Sequence, residues 1–191
     1  MFRMSRFQKP ASCRSHLRKP LLFLIIACIA GPGTAIAAEL ILRKDTPVRV
    51  FFSPRGNATS GIVQALDTAR SEILVQAHTL LSPAITRSIL DAHERGVRIQ
   101  VILDKSERQE GLTPAVQLVH AGVPVFLDGA HASANDRVIV IDGRTVITGS
   151  MNFSTSSDEM NGENLLIIES PELARAYTAN WKSHRSHSAP Y

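Results

Sequence analysis

Apolar and polar residues change rhythm repeatedly along this chain. Val48–Phe52 has the β-branched and aromatic content of a strand. Ser60–Ala69 places Ile62, Val63, Ala65, Leu66 and Ala69 at helical spacing. Ile73–Ala77 predicts a second strand. Ser82-Pro83 forms an N-cap and first-turn pair, opening a helix that runs to Arg95, with Gly96 as its stop. Val97–Leu103 is a strand rich in β-branched residues. Pro114–His120 predicts a short helix, and Val123–Leu127 another strand. Two apolar runs, Val138–Ile141 and Val146–Thr148, flank Asp142-Gly143, a strong signal for a hairpin turn. Leu165–Ile168 predicts a last strand, and Ser170-Pro171 opens a final helix to Trp181. Alternating strands and helices imply parallel pairing in the first half, and the hairpin adds antiparallel strands. The expected fold is α/β, a mixed sheet with helices on both faces in one domain. The tail from Lys182 to Tyr191 is polar and is expected to fray.

The first 37 residues change the charge picture. Arg3, Arg6, Lys9, Arg14, Arg18 and Lys19 precede an apolar run from Leu21 to Ala30, followed by Ala35-Ile36-Ala37. Basic segment, short apolar segment and A-x-A site predict a secretory signal peptide over 1–37, cleaved after Ala37. The expected destination is the periplasm or the exterior. Cys28, within Ile25-Ile26-Ala27-Cys28, offers a lipoprotein alternative. The whole chain carries 21 Lys+Arg and 17 Asp+Glu. Six of the basic residues and no acid lie in the leader, which leaves 15 against 17 from residue 38 onward. A globally basic nucleic-acid binder is excluded, and any polyanion site must be local. Both cysteines, Cys13 and Cys28, fall in the leader, so residues 38–191 form no disulfide.

Polar residues collect at the hairpin ends: Asn135 and Arg137 before it, Gly149, Ser150 and Asn152 after it. Arg137, four residues, Asp142, six residues and Gly149-Ser150-Met151-Asn152 resemble the phospholipase D superfamily signature. That signature is His-x-Lys, four residues, Asp, six residues, Gly-Ser-x-Asn. Glu163-Asn164 before an apolar strand is similar to the family's Glu-Asn. The stretch 75–104 resembles the first helix–strand unit of its small bacterial nucleases. The departure is the opening pair, where Asn135-Asp136-Arg137 replaces His-x-Lys.

The resemblance implies a single-motif secreted endonuclease acting as a homodimer, with residues 38–191 as the nuclease domain. In such enzymes one His attacks phosphorus, a second from the other motif protonates the leaving oxygen, and Lys, Ser and Asn stabilise phosphoryl charge. Carried over, the catalytic candidates are Asn135, Arg137, Asp142 and Glu163. The phosphate ligands are Arg137, Ser150 and Asn152. Arginine suits the lysine role, because guanidinium is always charged and forked. Ser and Asn also serve turns and caps, and Asp142 also fits a purely hairpin-fixing role. A carboxamide at Asn135 is no nucleophile and does not titrate near neutrality. His131 in the preceding loop and His78 after the second strand are possible substitutes. Both also fit a plain loop or strand-end role, and His93 and His120 lie on helix patterns. The sequence shows no metal-ligand motif, and no cofactor is expected. The expected partners are DNA or RNA and a second copy of the chain. Phospholipid ranks behind nucleic acid, since no apolar surface helix or basic membrane patch is visible.

Overall fold

The computed structural model describes residues 39–108 and 113–191. The leader reading of residues 1–37 lies outside them. Strand β1 (Val48–Ser53) leads to α1 (Ala58–Asp67), β2 (Glu72–Ala77), α2 (Pro83–Glu94) and β3 (Arg98–Asp104). After a short 3-10 turn (Lys105–Glu107) come α3 (Pro114–His120), β4 (Val125–Asp128) and the hairpin strands β5 (Arg137–Ile141) and β6 (Thr145–Gly149). Then follow α4 (Thr155–Glu159), β7 (Glu163–Glu169), α5 (Pro171–His187) and β8 (Ala189–Pro190). The two Ser-Pro openings act as expected, and Thr113-Pro114 opens α3 in the same way. Ser82, Thr113 and Ser170 each accept a hydrogen bond from a backbone N–H of the first helical turn, and a proline fills that turn.

One mixed sheet runs in the order β1-β7-β6-β5-β2-β3-β4-β8. Strands β2, β3 and β4 are parallel, and β5 and β6 return antiparallel. Helices cover both faces, as the alternation predicts. On one side Ile62, Leu66, Ile85, Ile89 and Leu118 pack against Val75, Val101 and Ile139. On the other, α5 lays Ala174 and Trp181 over Leu74, Ile102 and Val140. Trp181 Nε1 donates to the Val75 carbonyl at 2.9 Å, which satisfies a buried indole N–H.

The C-terminal tail corrects the frayed expectation. Helix α5 continues six residues past Trp181, and β8 pairs with β4 through Phe126↔Pro190 and Leu127↔Ala189. The Arg185 guanidinium lies 3.4 Å from the centre of the Phe126 ring. That stacking and the strand pairing hold a polar segment whose composition alone does not specify order.

Register decides where the motif lands. Ala77 at the end of β2 pairs with Arg137 at the start of β5. Val138 pairs with Thr148, and Gly149 pairs with Leu165 near the start of β7. The ends of β2, β3, β4 and β6 and the starts of β5 and β7 therefore meet along one edge of the sheet.

Candidate phosphate cradle

The cradle is built on three strand ends at that edge. Arg137 Nε donates to Asn152 Oδ1 at 2.8 Å, and Nη1 donates to the Asn135 carbonyl at 2.6 Å. These bonds fix the guanidinium and leave Nη2 without a hydrogen bond to any described residue. Asn152 spends its carbonyl oxygen on the arginine, and its Nδ2 group, a second donor, has no hydrogen bond to any described residue. The Asn135 side chain is exposed, and its role in the arrangement is carried by its backbone.

Ser150 is tied more completely. Its hydroxyl donates to Glu163 Oε2 at 2.5 Å and accepts from the Asn164 N–H at 3.1 Å and from Asn164 Nδ2 at 3.3 Å. Glu163 also accepts from Asn161 Nδ2 at 3.3 Å. Glu163, a catalytic candidate by the resemblance, here orients a serine. Gly149 is needed for the close approach: a Cβ there would lie 2.2 Å from the Asn164 carbonyl oxygen.

Asp142 sits at the other end of β5 and does not reach the cradle. It belongs to the turn, where Asp142 and Gly143 both have positive φ and the Arg144 N–H closes on the Ile141 carbonyl. Its carboxylate accepts from the Arg70, Ser71 and Glu72 N–H groups at 2.8–2.9 Å and from Ser71 Oγ at 2.8 Å. Burial pushes its pKa up, but hydrogen bonds from Glu72, Ser71 and Arg70 outweigh this and hold it below the usual carboxylate range. Of the two roles open to it in the sequence, the hairpin-fixing one fits this geometry. A cleft of about 600 Å³ opens at the same end, lined by Pro47, Arg70, Asp142 and Arg144. Asp142 spends its oxygens on the fold there, and the motif's free donors lie at the opposite edge.

The structure separates the two substitute histidines. His131 is drawn away from the cradle: its Nδ1 sits 2.9 Å from Oδ2 of Asp128. His78 stays on the motif edge. It follows Ala77, the partner of Arg137, and its N–H donates to the Asp136 carbonyl at 2.9 Å. Its Nδ1 is buried with no hydrogen-bond partner among the described residues. The loop between them is held by Asp104, whose Oδ2 accepts from the Ala134 N–H at 2.7 Å. Burial raises the Asp104 pKa, but bonds from Ser106 and Ala134 lower it further, so the carboxyl stays ionised to unusually acid pH. Asp104 and the grouping of Asp128 with His131, His184 and His187 were not evident from the sequence. The paired spacings Asp128-x-x-His131 and His184-x-x-His187 were the available signal.

Sheet order, strand-end cradle and motif spacing define a phospholipase D-like domain, and comparison with known proteins agrees. Residues 62–185 match the family described as cardiolipin synthase, PLD-like domain. A phospholipase D from Rickettsia bellii is 36% identical over 139 residues, spanning 73% of this chain and 69% of that protein. A mitochondrial cardiolipin hydrolase from Xenopus tropicalis is 31% identical over 176 residues, spanning 78% of this chain and 84% of that protein. The crystal structure of Nuc, a phospholipase D family member from Salmonella typhimurium, superposes with a TM-score of 0.71 at 28% identity, covering 77% of this chain and 99% of that one. The chain belongs to the phospholipase D superfamily.

Proposed function

We propose that the chain engages a phosphodiester of DNA or RNA at the Arg137–Asn152 cradle and hydrolyses it weakly or not at all. One observation carries this reading. The free donors on Arg137 and Asn152 are preorganised, while the residue at the nucleophile position is an asparagine whose side chain is exposed. Preorganised donors bind phosphoryl oxygens without reorganisation. An amide neither attacks phosphorus nor shuttles a proton. The resemblance to single-motif bacterial endonucleases supports nucleic acid over lipid.

The reading extends to assembly and location. A lone motif is half of a two-motif site, so a two-fold homodimer completes it. Val48, Val50 and Phe52 support this: they lie exposed on one face of edge strand β1, and Phe52 pairs with Asn164 of the cradle. Export follows from the leader pattern, with cleavage after Ala37 giving a periplasmic or secreted form.

A second reading rests on His78. Its Nδ1 is buried without a hydrogen-bond partner among the described residues, and it follows Ala77, the strand partner of Arg137, where an imidazole would replace the missing one. An assay with plasmid DNA, bis-p-nitrophenyl phosphate and cardiolipin vesicles separates the alternatives. The first reading predicts salt-sensitive oligonucleotide binding with little turnover of any substrate. The second predicts turnover that disappears in His78→Ala. Turnover of cardiolipin alone would favour a lipid substrate. Failure to bind oligonucleotide at low salt overturns the cradle itself.

A further inference from the structure

Away from the cradle, at the β4 end of the same sheet edge, four side chains converge. Asp128 ends β4 and is fully buried. His131 comes from the loop that follows, and His184 and His187 from the last turn of α5, one helical turn apart. Asp128 Oδ2 lies 2.9 Å from His131 Nδ1, 2.8 Å from His184 Nδ1 and 3.4 Å from His187 Nε2. The four donor atoms all lie within 4.8 Å of one another. The His131 and His184 rings stack with centroids 4.8 Å apart, and the His187 ring lies 5.2 and 5.4 Å from them at steep angles.

This geometry sits close to that of a tetrahedral metal centre. Zinc–nitrogen bonds of about 2.0–2.1 Å put neighbouring donors about 3.3–3.4 Å apart. The His187–Asp128 separation of 3.4 Å already matches, and the His131 and His184 separations of 2.9 and 2.8 Å are shorter by about half an ångström. The cluster gathers all three imidazoles on one carboxylate, with His131 Nδ1 between its two oxygens at 3.1 and 2.9 Å. A divalent cation meets all four donors at once.

The supports are those expected of a metal site. Asp128 Oδ1 accepts from the Ala130 N–H at 3.0 Å, which fixes the carboxylate. Lys105 Nζ donates to the His131 carbonyl at 2.8 Å. The pairing of β8 with β4 and the Arg185–Phe126 stack hold the end of α5 in place. Three nitrogens and one oxygen select a borderline transition ion over calcium or magnesium, which take oxygen ligands. Four protein donors close the shell and leave no position for substrate, which marks a structural site.

We propose that Asp128, His131, His184 and His187 bind one zinc ion, which staples α5 to β4 and orders the segment from His131 into Asn135 and Arg137. The proposal is independent of whether the cradle takes nucleic acid.

The test uses the purified chain, stripped with chelator and titrated with Zn²⁺ against a chromophoric competitor. One equivalent should bind. His131→Ala, His184→Ala and His187→Ala should each weaken affinity about 100-fold or more, by analogy with losses seen when even outer-shell support is removed. His93→Ala/His120→Ala should bind like the unsubstituted chain. Zn²⁺ at a hundredfold excess over Kd should raise Tm by roughly 5–10 °C, and Mg²⁺ should not. If the alanine variants do not fold, Co²⁺ in the unsubstituted chain decides, since a tetrahedral site gives intense visible bands and an octahedral one weak bands. Absence of stoichiometric binding, binding undiminished in His131→Ala and His187→Ala, binding lost in His93→Ala/His120→Ala, or an octahedral Co²⁺ spectrum would each overturn the proposal.

Discussion

The two ends of strand β5 carry two halves of one motif and use them differently. At the turn end, the Asp142 carboxylate spends its oxygens on four donors of the β2 entry. At the other end, Arg137 and Asn152 satisfy each other only in part and keep donors free. The first arrangement is what a fold needs, and the second is what a ligand needs. Asn135, the departure from the family signature, falls at the ligand end. Under the proposed function the motif preserves its scaffold while changing its chemistry.

The largest expected effect comes from restoring that chemistry. Asn135→His should raise phosphodiesterase turnover by several orders of magnitude, about 10⁴ if the imidazole acts fully as nucleophile, with a further gain from Arg137→Lys. Hydrolysis of bis-p-nitrophenyl phosphate by single and double variants measures this. No gain in either would mean that the two ends of β5 are both structural.

The turn end should respond in stability alone. Asp142→Ala removes a charged acceptor of four hydrogen bonds at a solvent-exposed turn, at a cost of about 1–3 kcal/mol. Thermal unfolding should show a fall of roughly 5–15 °C, with oligonucleotide affinity of the folded protein unchanged. Acid unfolding checks the sign. The folded-state pKa of Asp142 lies below its unfolded value of 3.8, so its contribution is present above about pH 4 and is lost as pH falls through the folded value. Asp142→Asn should flatten that acid limb.

A smaller effect belongs to Arg137→Ala. It should weaken oligonucleotide binding at low salt and reduce the slope of log K against log salt by about one phosphate's share. Ser150→Ala should act less, because the Ser150 hydroxyl already donates to Glu163. Equal losses from both would break the distinction between free and committed donors at this end.

The periodic elements were legible from local pattern: two Ser-Pro openings, the Asp-Gly turn and the β-branched runs all act within a few residues. What was not legible depends on distant partners. Helix α5 extends past Trp181 because its end rests on β4, a strand far back in the chain. Short α4 is started by Ser154, whose hydroxyl accepts from the Ser157 N–H, in a serine-rich stretch without helical periodicity. Within the motif, spacing located Arg137, Ser150 and Asn152. It could not distinguish a hydroxyl with a free proton from one already bonded to Glu163. Nor could it take His131 out of contention as a nucleophile, since that depends on Asp128, His184 and His187, which only the tertiary fold assembles.

The most direct measurement of the central claim is single-turnover cleavage of plasmid DNA by the purified chain, beside its affinity for the same DNA. The expected results are salt-sensitive binding weakened by Arg137→Ala, cleavage at background, and cleavage restored by Asn135→His. Robust cleavage by the unsubstituted chain that persists in His78→Ala and His131→Ala would contradict it.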